Sequence, residues 1–141
     1  MPREADPVPQ PLNALLEQPL RVLIVDDSAH FRRPAKALFE LMPRIGSVMT
    51  AASGEAALEL AANRTFDLVV LDLSMDGLNG LEVARRLRLL PSVPKIVMVS
   101  LYDEPEFRLA ALAAGVAEFM SKPALAGELE RLLERMFGAP A

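Results

Sequence analysis

From Leu20 onward, short apolar runs alternate five times with longer segments of helical periodicity, and no other feature restricts the possible folds of this chain so strongly. The runs LRVLIV (20–25), GSVMTA (46–51), FDLVVL (66–71), PKIVMV (94–99) and VAEFM (116–120) predict strands, bounded by turn residues. The segments between and after them predict helices at 29–42, 54–63, 80–90, 103–114 and 124–137. Strands this apolar must be covered on both faces, which requires parallel pairing with helices layered on either side. Five β/α units therefore predict a doubly wound, five-stranded parallel sheet flanked by five helices.

Several helix starts carry their own signals. Ser28 and Ser53 are suitable N-caps, Asn79 with Glu82 resembles a capping box, and Asp103 with Glu106 does the same with Pro105 in the first turn. The last helix is expected to bury Leu125, Leu129, Leu132, Leu133 and Met136 and to expose Glu128, Glu130, Arg131, Glu134 and Arg135. Pro34 conflicts with the first helix, where it removes the bond to the His30 carbonyl and is expected to bend the axis.

Composition limits the function classes. A chain of 141 residues, 52% hydrophobic, has material for one sizeable core. Five of its twelve prolines fall in residues 1–19, which predicts an extended N-terminal tail in which LNALLEQ could form a short turn. Residues 138–141 form a short C-terminal tail. A net charge of -4 offers no basic field for DNA or RNA. With no cysteine, thiolate metal sites, disulfides and thiol catalysis are excluded, and the single histidine, His30, cannot build a histidine-rich metal site. The longest apolar run, 109–117, is too short to span a membrane, and the N-terminus has no basic-then-apolar signal, so a cytoplasmic location is expected.

The chemistry concentrates at the strand ends. Binding sites in open parallel sheets lie beyond the carboxyl ends of the strands. Here those ends carry Asp26 and Asp27 after strand 1, Asp72 after strand 3, Ser100 after strand 4 and Lys122 after strand 5. Two like charges about 4 Å apart repel by roughly 4 kcal/mol at an effective dielectric of 20, and one lysine cannot neutralise three aspartates. A hard Mg²⁺ held by carboxylates, a carbonyl and waters would supply the missing charge and leave coordination positions for a phosphoryl group.

The ordered set LIVDDS, LVVLDLSMDGLNGLE, KIVMVS and FMSKP resembles the receiver domain of two-component response regulators, over about residues 20–137. The resemblance implies a CheY-like, flavodoxin-like sheet of order 2-1-3-4-5. It also implies that Asp72 accepts a phosphoryl group from a sensor histidine kinase or histidine phosphotransfer protein. Asp27 would bind Mg²⁺ directly, Asp26 through a coordinated water, and the Ser74 backbone carbonyl would be a further ligand. Lys122 and, after phosphorylation, the Ser100 hydroxyl would hold phosphoryl oxygens. Pro123 would follow a cis bond that aims the ammonium inward. Ser100 and Phe119 would form the switch, with output through the face of helix 4, strand 5 and helix 5, where a homodimer could also form. Such a domain phosphorylates and dephosphorylates itself and is not a turnover enzyme.

Three positions depart from the common pattern or tune it. Leu101 stands where a small residue is frequent and could narrow phosphoryl access, while Ser74 and Tyr102 occupy positions that set phosphate lifetime. SLYDEPEF and AALAAGVAEF look closest to receivers that precede DNA-binding domains, so the chain reads as a stand-alone receiver or one excised from something longer. Other readings are a pseudo-receiver that works by protein contacts, a haloacid-dehalogenase-like phosphatase and a flavodoxin-like nucleotide binder. The phosphatase would need an Asp where Ser74 stands, and DDSAHFRR has no phosphate loop. Taken singly, Phe119 reads more simply as core. The arginines of FRR (Arg32, Arg33) and ARRLR (Arg85, Arg86, Arg88) read as solvated faces.

Overall fold

A computed structural model describes residues 19–102 and 104–139. The tail of residues 1–18, the Asp103 cap and residues 140 and 141 lie outside that description. Five strands, β1 (Leu20–Val25), β2 (Ile45–Ala51), β3 (Leu68–Asp72), β4 (Lys95–Ser100) and β5 (Glu118–Ser121), form one sheet of order β2-β1-β3-β4-β5. Every neighbouring pair is parallel, with Val22 opposite Leu68 and Val97 opposite Glu118. The predicted doubly wound sheet and its strand order are both observed.

The helices are α1 (Ala29–Glu40), α2 (Gly54–Asn63), α3 (Gly80–Leu87), α4 (Pro105–Ala113) and α5 (Leu125–Phe137). Side chains of a strand alternate between faces, and the core divides accordingly. Val22, Ile24, Leu68, Val70, Val97 and Val99 meet Phe39 of α1 and the Leu125, Leu129, Leu132, Leu133 and Met136 stripe of α5. On the opposite face Leu23, Val25, Val69, Leu71 and Met98 meet α2, α3 and the end of α4, through residues such as Ala57, Val83, Leu87 and Ala111. Glu128, expected to be exposed, is half-buried.

Helix ends fall short of their predicted limits for a local reason. After Glu40 and again after Leu87 the amides bond three residues back, Met42 to Phe39 and Leu90 to Leu87, tightening the last turn ahead of Pro43 and Pro91. Pro34 sits on the exposed side of α1, which runs through it from Ala29 to Glu40. The Ser53 hydroxyl accepts from the Ala56 amide and Asn79 from the Glu82 amide, as their cap positions predict. Ser28 occupies the N-cap of α1 but makes no side-chain cap bond.

One glycine is fixed by close approach. A Cβ on Gly80, the first residue of α3, would lie 2.3 Å from the Asp72 carbonyl oxygen and 2.9 Å from Leu73 Cα, so only glycine lets α3 start against the end of β3. Gly127 in α5 has open space around the same position. We therefore expect opposite signs in urea unfolding. Gly80→Ala should cost about 1–3 kcal/mol through overpacking, whereas Gly127→Ala should be neutral or stabilise by up to about 1 kcal/mol through helix propensity.

Candidate functional site

The polar residues sit where the apolar runs stop. The Asp26 amide still bonds to the Ala51 carbonyl, extending the ladder by one residue, and this carries the Asp26 carboxylate to the sheet edge while it stays fully buried. Its Oδ1 accepts from the Ser28 amide at 2.8 Å. Its Oδ2 lies 2.7 Å from Lys122 Nζ, yet at an angle that makes no hydrogen bond, so this buried oxygen has no hydrogen-bond partner. Asp27 is exposed, and its Oδ2 accepts from the Asp76 amide at 3.2 Å, tying the loop after β1 to the loop after β3.

Asp72, the last residue of β3, is 3% exposed. Its Oδ1 accepts from the Ser74 amide at 3.2 Å, and its Oδ2 is 3.5 Å from Lys122 Nζ. Ser100 ends β4 at 3% exposure, its Oγ accepting from the Tyr102 amide at 3.2 Å. Lys122 follows β5, so the four strand ends that were expected to converge do so around one cleft of about 520 Å³. Carboxylate oxygens of Asp26, Asp27 and Asp72 lie within 4.8 Å of one another.

Against these three carboxylates stands one ammonium. Burial pushes the Asp72 carboxyl up to about 6, the Asp26 charge adds to the effect, and Lys122 with the Ser74 amide opposes it. The surplus negative charge, the orphaned Asp26 Oδ2 and the all-oxygen donor set fit a hard divalent cation such as Mg²⁺.

Two expectations, the cis bond and the solvated Arg32, are corrected. No cis peptide bond occurs among the described residues, so Lys122-Pro123 is trans. A 3₁₀ turn over Lys122–Ala124, with proline in its first turn, carries the lysine side chain inward without it. Arg32 is not merely a solvated charge: its Nη1 donates to the Asp26 carbonyl at 2.8 Å. The loop after β1 is thereby clamped from α1. Phe119 is 4% exposed within the core, under the Arg108 guanidinium, which lies 5.3 Å from the ring centroid and donates to the Phe119 carbonyl. Leu101 and Tyr102 are both exposed and line the cleft.

Sequence reading missed the contribution of α1. Lys122 Nζ lies 4.9 Å from the Phe31 ring centroid, and His30 and Phe31 both line the cleft. The available signal was position: a helix that starts two residues after Asp27 must carry its first turn past the carboxyl edge of the sheet.

The family model for the response regulator receiver domain matches residues 22–134. The chain belongs to that family. Among solved structures, this receiver domain is similar to the signal receiver domain of the putative response regulator NarL from Mycobacterium tuberculosis. The TM-score is 0.78 at 30% identity, covering 86% of this chain and 98% of that one. It is also similar to chemotaxis protein CheY4 of Vibrio cholerae, with a TM-score of 0.78 at 27% identity over 85% of this chain and all of that one. A protein-glutamate methylesterase/protein-glutamine glutaminase of Myxococcus xanthus is 42% identical over 118 residues, 82% of this chain and 33% of that protein. The nitrate/nitrite response regulator protein NarL of Escherichia coli is 34% identical over 125 residues, 89% of this chain and 56% of that protein. The receiver domain thus spans a third to just over half the length of these two relatives. Receiver domains act in two-component signalling, receiving input from histidine kinases or phosphotransfer proteins. Among the described residues no helix is long and apolar enough to cross a membrane.

The raised Asp72 pKa has a stability consequence whose sign is fixed. Ionising Asp72 costs the folded state more than the unfolded chain, so the penalty is absent near pH 4, grows as pH rises, and is complete above about 6. Without divalent cation, Asp72→Asn should therefore be more stable than wild type by about 2–3 kcal/mol at pH 7.5. The gap should close toward pH 4.5; urea unfolding of both proteins in chelator at the two pH values measures it.

Proposed function

We propose that this receiver is phosphorylated on Asp72 by a histidine kinase or histidine phosphotransfer protein, and that the acyl phosphate changes the partner preference of the α4-β5-α5 face. The observation that carries the reading is the placement of Asp72. It is buried at the floor of the cleft, 3.5 Å from Lys122 and within 4.8 Å of two further carboxylates. Asp26 shares the burial, the ammonium and the neighbouring carboxylates, but of the two buried aspartates it is Asp72 that lines the cleft.

In the transfer, an Asp72 carboxylate oxygen attacks the phosphorus of a phosphohistidine. A P–O bond forms, the P–N bond breaks, and its electron pair returns to the imidazole, which takes a proton from solvent. No general base is needed, since Asp72 with a pKa of about 6 is largely ionised at neutral pH. Lys122 then pairs with a phosphoryl oxygen, and the Ser100 hydroxyl, at the same sheet edge, takes another. Asp27, Asp26, Asp72 and the Ser74 carbonyl would hold Mg²⁺, Asp26 through a water. When bound, the cation neutralises charge that develops on the transferring group.

Movement of Ser100 toward the acyl phosphate would free space for Phe119, which now lies buried beside β4 and α4. The output face carries exposed Leu109, Leu112 and Tyr102, which supports protein contact, including a homodimer, as its mode of action. Leu101 lines the cleft with an exposed side chain, which is compatible with phosphoryl entry. Ser74 and Tyr102 flank the site and set phosphate lifetime. Residues 20–137 constitute the receiver, operating in the cytoplasm. Ser74 provides no general acid two residues after Asp72, which disfavours a phosphatase.

Intact mass after incubation with acetyl phosphate and Mg²⁺ tests the reading. The wild type should gain one phosphoryl group, stable to acid and lost in base, and Asp72→Asn should gain none. Equal labelling of both proteins would remove Asp72 from the role, and no labelling of the wild type would favour a receiver that acts through protein contacts alone.

A further inference from the structure

Among the described residues, the ammonium of Lys122 makes three close approaches. Asp26 Oδ2 lies at 2.7 Å, Asp72 Oδ2 at 3.5 Å, and the face of the Phe31 ring has its centroid at 4.9 Å. The two carboxylates account for its charge. They do not account for the third contact, which comes from a helix on the other side of the cleft. Phe31 is half-buried, packs against the α1/α5 core and lines the same cleft as Asp72 and Ser100. The Lys122 side chain is only 12% exposed, so its ammonium is largely stripped of water, the condition under which a ring quadrupole attracts a cation most strongly.

Geometry makes the contact consequential. The Asp26 oxygen nearest the ammonium holds it by charge at 2.7 Å without an aligned hydrogen bond, which leaves room for a further contact to orient the head. A flexible four-carbon stem otherwise leaves a lysine head free to sample several positions. The Phe31 ring stands against this ammonium while both carboxylates lie within 3.5 Å of it.

We propose that Phe31 is a positioning residue for Lys122: its ring face holds the ammonium at the junction of Asp26 and Asp72, ready for a phosphoryl oxygen on Asp72. The consequence for phosphoryl transfer rests on the assignment of Asp72 as acceptor. The positioning itself does not. Phe31→Leu keeps apolar bulk and removes the ring face, whereas Phe31→Tyr keeps the face and adds a hydroxyl that can reach solvent from this half-buried site.

Two measurements on the full chain test it. In the unphosphorylated protein, the Lys122 side-chain CH₂ protons next to Nζ should show ring-current shifts in wild type and Phe31→Tyr that vanish in Phe31→Leu. Shifts unaffected by Phe31→Leu would overturn the proposal. In phosphorylation by acetyl phosphate with saturating Mg²⁺, Phe31→Leu should slow the wild-type rate about three- to tenfold, and Phe31→Tyr should restore most of it. In a Lys122→Met background the Phe31→Leu effect should disappear, since the lost interaction is already absent. An equal slowing in both backgrounds would mean that Phe31 is core packing only and would overturn the proposal. A wild type that takes up no phosphoryl group, while the Lys122 shifts still depend on the ring, would overturn the acceptor assignment and uphold the positioning.

Discussion

Three carboxylates and one ammonium share the carboxyl edge of this sheet, and that imbalance organises the site. Asp26 and Asp72 are buried, and burial first, with the poorly screened Asp26 charge second, raises the Asp72 carboxyl to about 6. Lys122 relieves part of the repulsion by standing 2.7 Å from one and 3.5 Å from the other. It leaves Asp26 Oδ2 without a hydrogen bond. A protein that keeps such a cluster in its core's rim gives up stability in the resting state, and under the function proposed above the return would be a site whose electrostatics improve when a cation and then a phosphoryl oxygen arrive.

The scaffold explains why the cluster holds together. The two buried aspartates follow directly from buried apolar residues: Val25 precedes Asp26, and Leu71 precedes Asp72 in a strand with every residue buried. Parallel pairing brings these ends to the same edge. Contacts from outside the sheet then fix the loops. Arg32 of α1 grips the Asp26 carbonyl, the Asp76 amide grips Asp27, and glycine at position 80 lets α3 abut the Asp72 carbonyl. α1 thus contributes to the site twice, through Arg32 on the loop backbone and through the Phe31 ring beside Lys122.

Much of this was legible in the residues themselves. The strands followed from apolar runs too continuous to face water, their order from the family resemblance, and the acidic cluster from charges placed where those runs end. The α5 stripe is buried as its spacing predicts. What escaped depended on three-dimensional approach. Arg32 and Arg33 are neighbours with the same chemistry, and only the rotation of α1 against β1 decides that Arg32 turns back to a carbonyl while Arg33 is exposed. Phe31 meets a lysine far along the chain, a pairing that no local pattern encodes. The family resemblance implied a cis Lys122-Pro123 bond aiming the lysine inward, but a short 3₁₀ turn achieves the same orientation with a trans bond.

The central claim is that uncompensated negative charge at Asp26, Asp27 and Asp72 awaits a divalent cation. Thermal unfolding with and without Mg²⁺, in wild type and Asp27→Ala, addresses it most directly, because a ligand that binds only the folded state raises its melting temperature. Wild type should gain several degrees at saturating Mg²⁺, and Asp27→Ala, with one of the three carboxylates removed, should gain much less. Equal shifts in the two proteins, or none in either, would contradict the account.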